Sequence, residues 1–195
     1  MLPPILQRLQ TLGHSVYENG DWNLNLFGVR SPTRTANAFD DLIGCAYKEE
    51  GLWRVEWWEA TTDPGTHYLI DKPLNKLGTA VLKAGQYKGA YKLGLHRGYE
   101  ALCQLGQEVS VYRDNTRDAT LDLDESTLQT GYIGVNIHKR TGTDDTVDAA
   151  SAGCQVFRYD KAFYRLLDLA HMQVKKRGWD TFTYTLIDDW RLPDE

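Results

Sequence analysis

The run Tyr132-Ile133-Gly134-Val135-Asn136-Ile137-His138 switches at every step between an aliphatic side chain and a polar, small or aromatic one. Period two is the repeat of a strand, so Ile133, Val135 and Ile137 fall on one face and Tyr132, Gly134, Asn136 and His138 on the other. Such a segment needs a sheet to receive it, and other parts of the chain can supply one. Leu52 to Ala60 is aromatic and β-branched, preceded by Gly51 and followed by the turn-forming Asp63-Pro64-Gly65. Val109 to Arg113 and Thr181 to Ile187 read as further strands, and Asn23 to Phe27 alternates before Gly28 and Ser31-Pro32 interrupt it.

Two helices complete the pattern. Ile5, Leu6, Leu9 and Leu12 share one helical face and Gly13 ends it, which predicts a short amphipathic arm. Downstream, Asp160 is placed to cap a helix reaching about Arg177, with an apolar stripe of Phe163, Leu166, Leu167, Ala170 and Val174. Lys175-Lys176-Arg177 suits the negative end of that helix, and Gly178 suits the position after it. The expectation is a mainly β fold with α elements: one domain, with residues 1–20 as an N-terminal arm on a body spanning 21–195. Asn115 to Thr130 and Lys139 to Ala150 are polar and read as loops.

Composition removes several function classes. A net charge of −5 argues against a nucleic-acid footprint. No apolar stretch has the length of a membrane span, and Met1 to Leu6 lacks a charged segment followed by a long apolar one, so ordinary secretion is not expected. The three cysteines, Cys45, Cys103 and Cys154, are odd in number and widely spaced, which suggests neither a disulfide framework nor a zinc knuckle.

The chemistry-bearing features are His138, at the end of the alternating strand, and the turn Ser151-Ala152-Gly153-Cys154 downstream. A thiol becomes a nucleophile as thiolate, and a neighbouring imidazole is the usual means of removing its proton. Gly153 allows a sharp bend that turns the amides around Cys154 toward a developing oxyanion. The alternative is a buried cysteine with a packing role.

Gly134-Val135-Asn136-Ile137-His138, twelve intervening residues, then Ser151-Ala152-Gly153-Cys154, resembles the active-site signature of the L,D-transpeptidase (YkuD-type) catalytic domain. The resemblance implies a β-sandwich-like catalytic fold over 21–195 and action on peptidoglycan peptide stems. Cys154 would be the nucleophile, His138 its base, and the amides of Gly153 and Cys154 the oxyanion hole. The histidine in that family is steadied by a backbone carbonyl near its own loop. The acceptor, an amine or water, decides between a transpeptidase and a carboxypeptidase or endopeptidase. No cofactor is called for. The pattern departs at Lys139, where the family has a small residue, at Ala152, where many members have histidine, and at Val156, where an arginine or asparagine helps to hold substrate.

Candidates for substrate contact are Ser151, Asn136, His96 and Arg140, with Arg97, Arg113 and Lys139 further cations able to meet stem carboxylates. Asn136 either orients the imidazole or is a polar residue satisfied by a neighbouring strand. Asp144, Asp145 and Asp148 read mainly as solvated loop charge. If His96 reached the cleft, it would join His138 and Cys154 as a nitrogen and sulfur set suited to zinc, but no His-Glu-x-x-His or paired-cysteine motif supports a metal. Trp53, Trp57 and Trp58 read as core, with at least one partly exposed. A wall-directed enzyme without an export signal would travel by phage lysis, a virion or a dedicated route. The competing reading is a non-catalytic wall-binding or virion module.

Overall fold

The computed structural model describes residues 1–140, 142 and 145–188. Helix α1 (Pro4–Thr11) leads into β1 (Asn25–Arg30), β2 (Asp41–Glu49), β3 (Leu52–Thr61), β4 (Thr79–Leu82), β5 (Gly85–His96), β6 (Tyr99–Gln104) and β7 (Val109–Asp114). The remaining elements are β8 (Gln129–Gly131), β9 (Ile137–Lys139), β10 (Gln155–Phe157), α2 (Asp160–Arg177) and β11 (Thr181–Asp188).

Eight strands form one sheet in the order β1-β11-β5-β6-β9-β10-β3-β2, and β2 returns to β1, so the sheet closes into a barrel. The remaining strands make a smaller sheet, β4-β7-β8. The mainly β expectation with its two helices therefore holds, but the principal sheet is a closed barrel where a sandwich-like arrangement was expected. The reason is local: β1 bonds to β2 on one side and β11 on the other, and β10 bonds to both β3 and β9, so these strands have no free edge. Two pairs are parallel, β1 with β11 and β9 with β10.

One apolar core runs through both sheets, joining Leu26, Tyr91, Ile137 and Phe157 of the barrel to Leu82 and Val111 of the smaller sheet. From α2, Phe163, Leu166 and Ala170 enter the same core. The predicted stripe is thus the buried side of the helix. Tyr159, not Asp160, is the N-cap residue, and it makes no side-chain cap bond; Asp160 begins the first turn, where its charge meets the positive end of the helix. Gly178 ends the helix at φ +71°. Helix α1 packs Ile5, Leu6 and Leu9 against Phe27, Val29 and Ile187, which covers the second face of β1 and explains why all six of its residues are buried.

The segment 132–138 departs from the single long strand its alternation predicts. It leaves β8 in the small sheet and enters the barrel only at Ile137, because Gly134 adopts φ +85° and breaks the ladder. The alternation survives in burial: Val135 and Ile137 are buried and Tyr132 is exposed. His138 is the exception, on the polar face yet 3% exposed. Strands β2, β4, β5, β6 and β8 carry no clear period-two signal and were not anticipated individually; β8 takes up the end of the expected loop 115–130 by pairing with β7. None of the three tryptophans of β3 is fully buried: Trp53 and Trp58 are partly exposed, and Trp57 is exposed, edge-on to Phe27 at 4.8 Å. Among the described residues, no helix is long and apolar enough to cross a membrane.

Candidate active site

Parallel pairing of β9 with β10 sets Val156 beside His138 and Gln155 beside Ile137. Extending that register by one residue brings Cys154 opposite Asn136, so two regions remote in sequence share one face of the barrel wall. Both Cys154 and His138 line a hollow of about 160 Å³, together with Ala80, His96, Arg97 and Gly134.

The turn before Cys154 is built from Ser151. Its hydroxyl accepts the Gly153 N–H at 3.1 Å and donates to the Cys154 carbonyl at 2.8 Å. Gly153 lies at φ +115°, and a Cβ there would meet the Ala80 carbonyl oxygen at 2.3 Å. Only glycine passes through this point. Two expected roles change as a result. Ser151 is 1% exposed and holds the turn, so it is not a substrate contact. The Gly153 amide is already spent on Ser151, so it does not face an oxyanion; the Cys154 amide has no acceptor among the described residues.

Behind the turn, Gln155 is fully buried, accepting from the Tyr184 hydroxyl at 2.9 Å and donating to the Thr62 carbonyl at 3.2 Å. Ahead of it, Asn37 accepts the Asp148 N–H at 2.6 Å and donates to the Asp148 carboxylate at 3.0 Å, and Thr66 adds a further bond. Asp148 is therefore an anchor for the loop rather than a solvated charge, held below the ordinary carboxylate range by donors from Thr146, Asn37 and Thr66. Asp145 pairs with Arg158 at 3.1 Å, and Asp144 lies outside the described residues.

The two histidines are given opposite tautomers by their neighbours. His138 Nδ1 lies 2.7 Å from the Lys139 carbonyl, which can only accept, so Nδ1 carries the proton and Nε2 is the basic nitrogen. The Tyr99 hydroxyl stands 3.3 Å from the same Nδ1. For His96 the reasoning starts at Gln104, whose backbone N–H donates to Asn136 Oδ1 at 2.8 Å and so fixes the amide. Asn136 Nδ2 must then donate to His96 Nδ1 at 3.0 Å, which leaves the His96 proton on Nε2. Asn136 is thus satisfied by the neighbouring strand β6, the second of its two expected readings, and its side-chain N–H goes to His96 and not to His138. The rings of His96 and His138 stack at 4.2 Å and 15°. In-plane lone pairs of two parallel rings do not converge, so this pair cannot clasp one zinc ion, and no group of three or more metal-binding side chains occurs among the described residues.

Burial sets the charge states. It pushes His138 down to about 4, with His96 and Arg97 adding to the fall while the Lys139 carbonyl opposes it. His96 is lowered by burial and by Arg97. The Cys154 thiol is pushed up to about 11 by burial, against the pull of the Asn136 N–H and the Arg97 charge. The His138 imidazole and the Cys154 thiol are both neutral at pH 7. No hydrogen bond joins them; Sγ accepts the Asn136 N–H at 3.4 Å and points toward the Gly134 carbonyl at 3.6 Å.

Of the cations, Arg97 lines the hollow, whereas Lys139 pairs with Asp160 at 2.7 Å and Arg113 bonds to Gln129 at 2.7 Å. Arg140 is not part of the hollow's lining and lies 5.8 Å from the ring centre of Phe39. Gln104, Asn37 and Gln155 escaped the sequence reading, because each acts through contacts distant in the chain.

No protein-family model matches this chain, and neither curated proteins nor solved structures give a match.

Proposed function

We propose that the protein is a cysteine acyl-transfer enzyme acting on peptidoglycan peptide stems, of the L,D-transpeptidase type that its His138 and Ser-x-Gly-Cys spacing resembles. One observation carries the reading: Cys154 and His138, sixteen positions apart, line the same hollow, His138 from β9 and Cys154 from the residue just before its parallel neighbour β10.

Because both groups rest uncharged, the chemistry is general-base attack and not attack by a preformed thiolate. The thiol turns from Gly134 toward His138 as substrate seats. His138 Nε2 takes the proton while Sγ forms a bond to the scissile carbonyl carbon, and the carbonyl electron pair moves onto oxygen. The Cys154 N–H and the His96 Nε2–H are the donors for that oxyanion, the second replacing the engaged Gly153 amide. Collapse breaks the C–N bond, and His138 returns the proton to the departing amine. An amine or water then attacks the thioester carbonyl and gives its proton to His138, the C–S bond breaks, and His138 returns that proton to the sulfur. Arg97, at the hollow, is suited to a stem carboxylate.

The missing Sγ to imidazole bond and the raised thiol favour a second reading, a non-catalytic wall-binding module, although catalytic bonds are often long before substrate binds. Incubation with defined muropeptides, followed by mass spectrometry of protein and products, separates the two. The enzyme reading expects an acyl adduct on Cys154, lost in Cys154→Ala, with product masses identifying the acceptor. Turnover that survives Cys154→Ala, or its absence across all stems, refutes it.

A further inference from the structure

A second concavity, of about 440 Å³, lies where the chain enters β1, between β5, β11 and the end of α2. It shares no lining residue with the hollow at Cys154. Its size falls in the range of small-molecule sites, roughly 300–1,000 Å³, which the hollow at Cys154 does not reach.

Its framework is fixed by internal bonds. Gln173, 3% exposed, accepts the Leu24 N–H at 3.0 Å and donates to the Thr181 carbonyl at 3.0 Å, tying α2 to the strands on either side. The Tyr17 and Thr183 hydroxyls bond at 2.9 Å. At the rim, the Arg177 guanidinium lies 4.3 Å from the centre of the Trp179 ring and donates to the Asn19 carbonyl at 3.3 Å. The indole is thereby held in one attitude while 45% exposed. Near it, Asn19, Lys88 and Thr181 line the concavity as solvent-exposed residues, their side chains bonded to no other described residue and open to a ligand.

A fixed, exposed indole beside an unpaired amide, a hydroxyl and an ammonium group matches a ligand with an apolar C–H face and a hydroxylated rim. That is the chemistry of a pyranose ring. A nucleic acid would also stack, but a phosphate chain calls for several free cations, and the groove offers Lys88 in its lining while Arg177 at the rim is engaged with Trp179 and the Asn19 carbonyl. No carboxylate lines the groove, so Lys88 favours a ligand with one negative group. We propose that this groove binds a pyranose saccharide, one ring stacked on Trp179, with preference for a sugar bearing a carboxylate. The inference is independent of the cysteine chemistry.

Isothermal titration calorimetry of the full chain with chitotetraose and with a hyaluronan tetrasaccharide tests it. Both should bind saturably, the hyaluronan fragment more tightly. Trp179→Ala should weaken binding about tenfold, the upper end of what one aromatic contact contributes. Lys88→Met should abolish the preference, Thr181→Val should weaken binding without touching the indole, and Cys154→Ala should change nothing. Absence of saturable binding by either sugar, affinities unchanged in both Trp179→Ala and Thr181→Val, or tighter binding of a single-stranded oligonucleotide overturns the proposal.

Discussion

Alkylation of Cys154 as a function of pH distinguishes a neutral thiol from a thiolate paired with imidazolium. Iodoacetamide reacts with thiolate, so its rate follows the ionised fraction. At pH 7.5 a thiol of ordinary pKa 9.0 is about 3% ionised, whereas one raised to about 11 is about 0.03% ionised. Burial in the hollow outweighs the Asn136 N–H and the Arg97 charge, so the expected rate is about a hundredfold below that of an unburied cysteine. The rate should climb roughly tenfold per pH unit from 7 to 10 without a plateau. Cys45 and Cys103 are 0% and 4% exposed, and peptide mapping after each pulse assigns the label to Cys154. A plateau at neutral pH with an inflection between about 4 and 8 would mean that the proton already sits on His138, and the general-base account would be wrong.

Other consequences concern the same wall of the barrel. Gly153→Ala meets both a φ of +115° and the Ala80 carbonyl, and should cost about 2–3 kcal/mol, seen as a fall of about 4–12 °C in melting temperature; an unchanged melt contradicts the geometry. His138 is held near 4 against an unfolded value of 6.5, so the unfolded chain binds the extra proton between those values. Its contribution is complete above pH 6.5 and disappears as pH falls through 4, about 3 kcal/mol in all. Urea titrations at pH 7 and pH 4 should show a smaller acid loss in His138→Gln than in the parent chain, and equal losses would exclude His138 as the source. His96→Phe preserves a ring on His138 but removes the Nε2–H, so turnover of a muropeptide should drop about a hundredfold with KM little altered. A change confined to KM would assign His96 to binding alone.

Legibility in the sequence followed the range of the interactions involved. Helix α2 was readable because its stripe, basic last turn and Gly178 all lie within one element, and β3, β7 and β11 because aromatic and β-branched residues cluster in them. Strand β5 was hidden by Gly85, Gly89 and Gly94 and by its lysines, since its stability comes from pairing with β6 and β11. That Cys154 and His138 would face one hollow, and that a backbone carbonyl would lie beside His138, were expectations that the family resemblance implied. The tautomer of His96 was not legible, because it depends on Gln104 reaching Asn136 across 32 positions. Likewise, Asp148 read as solvent-facing because Asn37, its partner, is 111 residues away.

The seam between β1 and β11 constrains how the chain can be born. During synthesis β1 and β5 emerge early, yet the strand that bonds to both is Thr181–Asp188, the last of the described elements. Until it clears the ribosome, a nascent chain carries two unsatisfied sheet edges, and the cylinder cannot seal. Closure of the barrel must therefore wait until β11 has been made, and a chain held short of residue 181 would display an open sheet prone to self-association.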